Sequence, residues 1–322
     1  MYLIGIDIGG TKCRVSLGRK TEAEHSLDIV AVGESRDSAG VPWARMLELL
    51  LADLKTLCRD CPEQPAAIGV SCGGPLDQKR GLILSPPNLP DWNEVPITKF
   101  FTEKAGVPAF LQNDADAGAL AEWKWGAGQG YNSLIFITFG TGCGAGLILN
   151  GCLYSGASGQ AGEIGHVRLA DYGPAGYGKP GSMEGFCSGG GITRLARTLV
   201  EAELQMGKTP ALCPSYQDLD KLTAKTVGIA AEQGDSLAIS VYAEAGRKLG
   251  MGLSILIDIL NPELIIIGSI FSRSRNQLWP EAARIIERET LPLTRKACQV
   301  VPSALGESIG NYAALAVAEY GG

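Results

Sequence analysis

Three features that would assign this chain quickly are missing: a basic cluster, a long apolar run and a paired cysteine framework. Its 322 residues carry a formal net charge of −6. The nearest approach to a basic patch, Lys12, Arg14, Arg19 and Lys20, straddles a hairpin, which argues against a nucleic-acid surface. No apolar run approaches the roughly 20 residues that span a bilayer. The first strand starts at about residue 2, with no charged and apolar leader before it, so a soluble cytoplasmic protein is expected. Nine cysteines (Cys13, Cys58, Cys61, Cys72, Cys143, Cys152, Cys187, Cys213 and Cys298) are odd in number and scattered. That is the pattern of reduced thiols, not of a disulfide scaffold. Cys58 and Cys61 form a lone C-x-x-C, and without a second pair it reads as a surface accident before a metal or redox motif.

What is present is glycine, in a chain that is 45% hydrophobic and long enough for about two domains, each with a core. Ile4 to Ile8 alternates as a strand, Gly9-Gly10-Thr11-Lys12 turns it, and Cys13 to Leu17 alternates back. Ser133 to Phe139, Gly140-Thr141-Gly142 and Cys143 to Leu149 repeat the design. Glycines let a backbone approach an anion, N–H groups in such turns form anion-binding concavities, and the Thr hydroxyls add donors. The bland alternative is that glycine is simply the default residue of tight turns. Asp7, a carboxylate on the strand just before the first turn, counts against it, because it is placed to hold Mg²⁺ through water beside phosphates.

A second carboxylate stands at Asn113-Asp114, where the apolar run Val107 to Leu111 gives way to a helical stretch, Ala115 to about Trp125. A strand that stops at a carboxylate and turns helical holds it at the carboxyl edge of a sheet, where open α/β sheets bind ligands. Asp114 is therefore the candidate catalytic base; the competing reading is a plain helix cap.

The remainder reads as α/β. Strands are expected near 2–8, 13–18 and 27–33, a helix near 42–60 and a strand at 67–72, after which Gly73-Gly74-Pro75 turns the chain at the ligand edge. Asn88 sits in a proline-stiffened loop, 85–92, where it serves either a polyol or an Asx turn. The polar loop 154–184 carries Glu163 and His166, one of only two histidines. Helices are expected near 189–206, 215–232 and 235–260, the last apolar almost all round and so buried, then short strands at 263–268 and 299–301 and a closing helix at about 306–320.

Six ordered motifs resemble the ROK family of sugar kinases and repressors: Asp7 to Lys12, Pro87-Asn88-Leu89-Pro90-x-Trp92, Asn113-Asp114-Ala115, Gly140-Thr141-Gly142-x-Gly144, Glu163-x-Gly165-His166, and Asn261-Pro262-Glu263-x-Ile265-Ile266-x-Gly268. The resemblance implies a two-domain α/β protein of the actin/hexokinase-like (ribonuclease H-like) fold with a cleft between domains, drawn at 1–117 plus 306–322 and 118–305. It implies ATP and Mg²⁺ as cosubstrates, a small-molecule sugar as substrate and a homodimer. It places Asp114 as base; Gly74, Asn88, Asn113, Asp114, Glu163, His166 and Glu184 on the sugar; and Asp7, Gly9, Gly10, Thr11, Lys12, Thr141, Gly142 and Gly268 around the nucleotide.

The expected activity is ATP-dependent phosphorylation of a hexose, O6 of glucose or a close aldohexose, with an N-acetylhexosamine such as N-acetylmannosamine second and a non-catalytic sugar sensor third. A repressor of this family needs a DNA-binding helix-turn-helix ahead of the first strand and is not expected here. Two departures from the family stand out. Ser269 and Ile270 follow Gly268 where the family often continues with glycine, and the segment 173–184 lacks the cysteines that complete a zinc site with the loop histidine. No structural zinc is expected, since His166 and Cys187 supply at most two of four ligands.

Overall fold

The computed structural model describes residues 1–21, 26–140 and 142–321. The opening meander forms as its alternation requires: β1 (Tyr2–Ile8), β2 (Lys12–Lys20) and β3 (Leu27–Val32) pair antiparallel, and the short β4 (Arg36–Asp37) also pairs with β2. α1 (Trp43–Leu57) buries Met46, Leu47, Leu50, Leu51 and Leu54 along one stripe and leads to β5 (Ala67–Cys72), parallel to β1. β6 (Leu76–Asp77) and β7 (Leu82–Ile83) form a small hairpin. α2 (Ile97–Ala105) was not expected. Its nine residues bury only Ile97 and Phe101, too few for a helical period to register, and its stop signal is Gly106 in the left-handed region. β8 (Ala109–Asn113) then pairs parallel with β5 and runs directly into α3 (Asp114–Trp125).

The second hairpin is β9 (Leu134–Phe139) and β10 (Cys143–Leu149), extended by β11 (Cys152–Leu153). The polar loop holds a two-residue hairpin, β12 (Ala175–Gly176) with β13 (Lys179–Pro180). α4 (Met183–Cys187) and α5 (Gly189–Gln205) follow. The helix expected near 215–232 is two elements, a 3₁₀ segment Tyr216–Lys221 and α6 (Ala224–Glu232), because Thr223 and Thr226 form a capping box that starts a new helix.

α7 (Ser236–Leu260) is not buried all round: Ile259 is 73% exposed, and the buried stripe follows Ala238, Val241, Tyr242, Ala245, Leu249 and Leu253. β14 (Leu264–Ile267) is succeeded by two unexpected helices, α8 (Ile270–Glu289) and α9 (Pro292–Ala297). An internal Pro280 and many charged residues hid α8. Packing forms it: α7 presents Gly246 and Gly250, where a Cβ would stand 2.4 Å from Leu278 O and 2.7 Å from Ala282 O, so α8 lies close. β15 (Gln299–Pro302) pairs parallel with β14, and α10 (Ile309–Gly321) closes the chain.

Two compact units result, one of Met1–Phe136, Gly146–Ala161 and Ala304–Gly322, the other of Ile137–Ala145 and Gly162–Ser303. The first contains the six-stranded sheet ordered β3-β2-β1-β5-β8, with β4 on β2. One face of this sheet (Ile4, Ile6, Ile8, Val15, Ile68 and Val70) packs under α1 and α2. On the other face the register pair Gly5 and Gly69 admits α10, where a Cβ on Gly69 would stand 2.1 Å from Ala314 O and 2.3 Å from Ala318 N. The second sheet has the order β11-β10-β9-β14-β15. Among the described residues no helix is long and apolar enough to cross a membrane. All nine cysteines are free thiols.

Candidate active site

In the first unit the register aligns the carboxyl ends of three parallel strands: Asp7 with Ser71, Ser71 with Gln112, and Ile8 with Cys72 and Asn113. Asp7 thus stands one residue inside the edge and Asp114 one residue beyond it. The capping question resolves in a way the residue pattern did not show. Asn113, extended at φ −61° and ψ 147°, is the cap, its Oδ1 accepting the Ala115 N–H at 2.9 Å, while Asp114 is already the first helical residue. Asp114 Oδ1 shares that N–H at 2.9 Å, which aims the carboxylate back along the strand end. Gly74 lies against Asn113, with a built Cβ 3.4 Å from its Nδ2.

The first glycine turn is packed from several sides. Gly9 N–H donates to Lys12 O at 2.9 Å, so this amide closes the hairpin instead of facing a ligand. Ser38, which no motif singled out, donates its hydroxyl to Gly9 O at 3.1 Å and its N–H to Thr11 O at 3.0 Å. Gly10 is glycine for the sake of Asn88: a Cβ there would stand 2.2 Å from Asn88 Cβ. The Asn88 turn is closed by backbone, Leu89 N–H on Pro86 O at 2.7 Å, and among the described residues no side-chain bond of Asn88 is needed for it. Thr11 and Lys12 are exposed at the tip. Gly310, at the start of α10, likewise leaves room for Asp7: a Cβ would stand 2.9 Å from Asp7 Oδ2.

Burial pushes the Asp7 carboxyl up to about 6; the Asp114 charge adds to the rise, and Arg14, its partner across the hairpin, opposes it. Asp114 is raised too, by desolvation, against the lowering effect of the Ala115 N–H. Its side chain still reaches the surface, so water tempers that rise. Behind the two carboxylates lie the thiols Cys13, pushed up by burial to about 12, and Cys72, pushed well up by burial, both neutral and adding no charge.

A testable consequence concerns stability. The folded chain binds the Asp7 proton more tightly than the unfolded chain, at about 6 against 3.8. Its favourable contribution is therefore complete below pH 3.8 and is lost as the pH rises through 6. Without metal at pH 7.5, Asp7→Asn should melt above the wild type, by about 1–2 kcal/mol once partial exposure is allowed for, and the gap should close by pH 4. Equal melting of the two proteins at pH 7.5 would refute a cost of ionising Asp7.

The second unit gathers a second set of groups. Glu184, in the first turn of α4 behind its cap Ser182, accepts the Cys143 N–H at 3.1 Å, and a Cβ on Gly142 would stand 3.1 Å from the same Oε2. Its carboxylate therefore supports the second glycine turn. Gly140 N–H closes that turn on Gly142 O at 3.1 Å; Thr141 lies outside the described residues. Gly162 and Gly165 let the Glu163–His166 segment press on β10, where a Cβ would stand 1.8 Å from Ala145 O and 1.9 Å from Cys143 O. Burial pushes the Cys143 thiol up to about 12, and the charges of Glu184 and Glu163 add to the rise. His166 is exposed, its carbonyl accepts Lys179 Nζ at 2.8 Å, and its ring meets Tyr177 edge-on at 6.3 Å.

The segment expected to do without zinc is tied by hydrogen bonds. Ser182 caps α4, Met183 N–H donates to Val167 O at 2.9 Å, and Leu169 and Ala170 both donate to Gly181 O. Cys187 is buried with its thiol on Ala245 O, and among the described residues no group of three metal-ligating side chains occurs. Gly268 ends β14 with its N–H on Ile137 O at 3.0 Å. Beside Gly140 a cavity of about 750 Å³ opens against Leu222, Ile229 and Ile270, with Arg194, Lys225 and Arg273 on its wall and Glu232 as its carboxylate.

Residues 3–320 match the model of the ROK family. The glucokinase of Thermotoga maritima is 31% identical over 318 residues, covering 98% of this chain and 97% of that protein. The crystal structure of the ROK hexokinase from Thermus thermophilus superposes with a TM-score of 0.81 at 27% identity, over 100% of this chain and 99% of the other. The ROK family glucokinase of Streptomyces griseus, solved with glucose and AMPPNP, gives 0.79 at 28% identity, over 99% and 100%. The architecture is accordingly the actin/hexokinase-like α/β fold.

Proposed function

The chain belongs to the ROK family, and from that premise we propose that it transfers the γ-phosphoryl group of ATP to a hexose hydroxyl, O6 of glucose or a close aldohexose, as a cytoplasmic homodimer. The observation that carries the reading is the pair Asp7 and Asp114 at the carboxyl ends of the three parallel strands β1, β5 and β8, beside a glycine turn packed on Asn88. Phosphoryl transfer passes through a loose transition state, so the protein mostly aligns and offsets charge. In this reading Asp114 accepts the proton of the attacking hydroxyl, held in aim by its bond to Ala115 N–H. Asn88, Asn113, Glu163, His166 and Glu184 match the remaining sugar hydroxyls, and Gly74 leaves space beside Asn113. The turns at Gly9–Lys12 and Gly140–Gly142, with Gly268, take the nucleotide, and the cavity beside Gly140 suits its base.

Mg²⁺ fits Asp7 on chemical grounds: a carboxylate whose proton affinity is raised by burial and by the Asp114 charge favours a cation nearby. Asp7 would hold it through water, and when bound it offsets phosphate charge.

A coupled ADP-release assay over glucose, mannose, fructose, allose and the N-acetylhexosamines tests the proposal. The highest kcat/KM should fall on glucose. A maximum on N-acetylmannosamine would move the substrate to the N-acetylated class, and sugar binding without ADP release would make the chain a sensor.

The two loop residues should separate in kinetics. His166→Ala should raise the sugar KM about tenfold and leave the ATP KM within about twofold, since its ring supports nothing of the glycine turn. Glu184→Ala should raise both, because it also removes the acceptor of Cys143 N–H. Identical changes in the two variants would withdraw the distinction.

A further inference from the structure

Ser269 occupies a backbone position built for glycine. Its φ of 54° and ψ of −111°, with Phe271 N–H on Gly268 O at 3.3 Å, have the shape of the first corner of a type II′ turn. There a Cβ is strained and Gly is the residue of choice. The serine does not offset this by capping α8, for its side chain makes no cap bond. Its Oγ points instead toward Gly140, 3.7 Å from a Cβ built there, and lines the 750 Å³ cavity. Arg273 Nη2 donates to Oγ at 3.3 Å, which uses the oxygen as acceptor and leaves the hydroxyl proton for an acceptor in the cavity. Arg194, Lys225 and Arg273 against Glu232 make that wall net positive, so the fitting acceptor is an anionic oxygen.

We propose that Ser269 is a donor-binding residue whose hydroxyl hydrogen-bonds a phosphate oxygen of the nucleotide, and that the strain at this corner is retained for that contact. The inference rests on the ATP-dependent reading above and extends it to a residue where glycine would fold more easily. Strained backbone kept at a ligand site has this logic: the surrounding structure holds what binding uses.

The test uses the full chain, without sugar, in two variants. Affinities for AMPPNP and for adenosine are measured by calorimetry, and all proteins are melted. Ser269→Ala and Ser269→Gly should each bind AMPPNP about tenfold more weakly, the usual worth of one hydrogen bond to a charged group, with adenosine affinity unchanged. Ser269→Gly should also melt roughly 2–4 °C above Ser269→Ala, the reverse of the order at an unstrained site. AMPPNP affinity at wild-type strength in both variants overturns the contact, and equal losses for adenosine overturn its assignment to phosphate. A glycine variant that melts below the alanine variant overturns the strain argument. Wild-type protein that binds neither ligand defeats the ATP-dependent reading itself, and this inference with it.

Discussion

Asp114→Asn should leave a protein that melts with the wild type and phosphorylates sugar at least about a hundredfold more slowly. The folding half of this expectation comes from the local geometry. The helix cap is Asn113, and an asparagine at 114 keeps an oxygen for the Ala115 N–H. Removing a negative charge from the first turn of α3 costs about 0.3–1 kcal/mol of dipole interaction. That loss is offset by removing a carboxylate that desolvation already disfavours in its charged form. The catalytic half follows from proton transfer: an amide cannot accept the hydroxyl proton, and a positioned base contributes about 10²–10⁴-fold. Steady-state kinetics at saturating ATP and sugar, with melting curves alongside, decide it. A variant retaining more than about a tenth of the wild-type kcat would remove Asp114 from the role of base, whereas a collapsed melting curve would show that the residue is structural after all.

Gly69→Ala should be the most damaging single methyl group in the first unit. Gly69 is central in β5, paired with Gly5 on β1, and the two together form a floor without side chains on which α10 rests. The nearest atoms to the added carbon would be Ala314 O and Ala318 N, both backbone, so no rotamer change relieves the clash and α10 must lift. Overpacking usually costs about 1–3 kcal/mol, and a backbone-to-backbone approach of this kind belongs at or beyond the top of that range. Lifting α10 would also move Gly310 away from the Asp7 carboxylate, so activity should fall with stability. Denaturant unfolding of the purified variant checks the expectation. A loss below about 1 kcal/mol would mean that α10 is held loosely and that the two glycines are incidental.

Much of the candidate site was legible because its parts are local. The alternation of Ile4 to Ile8, the turn after it and the apolar run ahead of Asn113 each announce a strand that ends in a polar group, and β1, β5 and β8 formed within two residues of their expected bounds. The helices α2 and α8 were not legible. One is too short for a period to show, and the other is amphipathic, proline-interrupted and stabilised by close packing on the glycines of α7. The expectation that α7 is buried on every side failed for a related reason: apolar content reports what can be buried, and only the neighbours decide which face is.

The sequence by itself determined the α/β class, the two glycine hairpins, the reduced cysteines and the carboxylates at strand ends, because each depends on residues a few positions apart. Tertiary structure alone decided what those groups touch. It transferred the cap of α3 from Asp114 to Asn113, spent the amides of Gly9 and Gly140 on their own turns, set Asn88 on Gly10 and laid Glu184 on Cys143, 41 positions away. It also put Ser269 into a glycine conformation, since the register of β14 and the start of α8 dictate that corner whatever residue occupies it. Local patterns fix dihedral preference and periodicity, whereas contacts between distant segments depend on strand order and helix approach, which no window of neighbouring residues encodes.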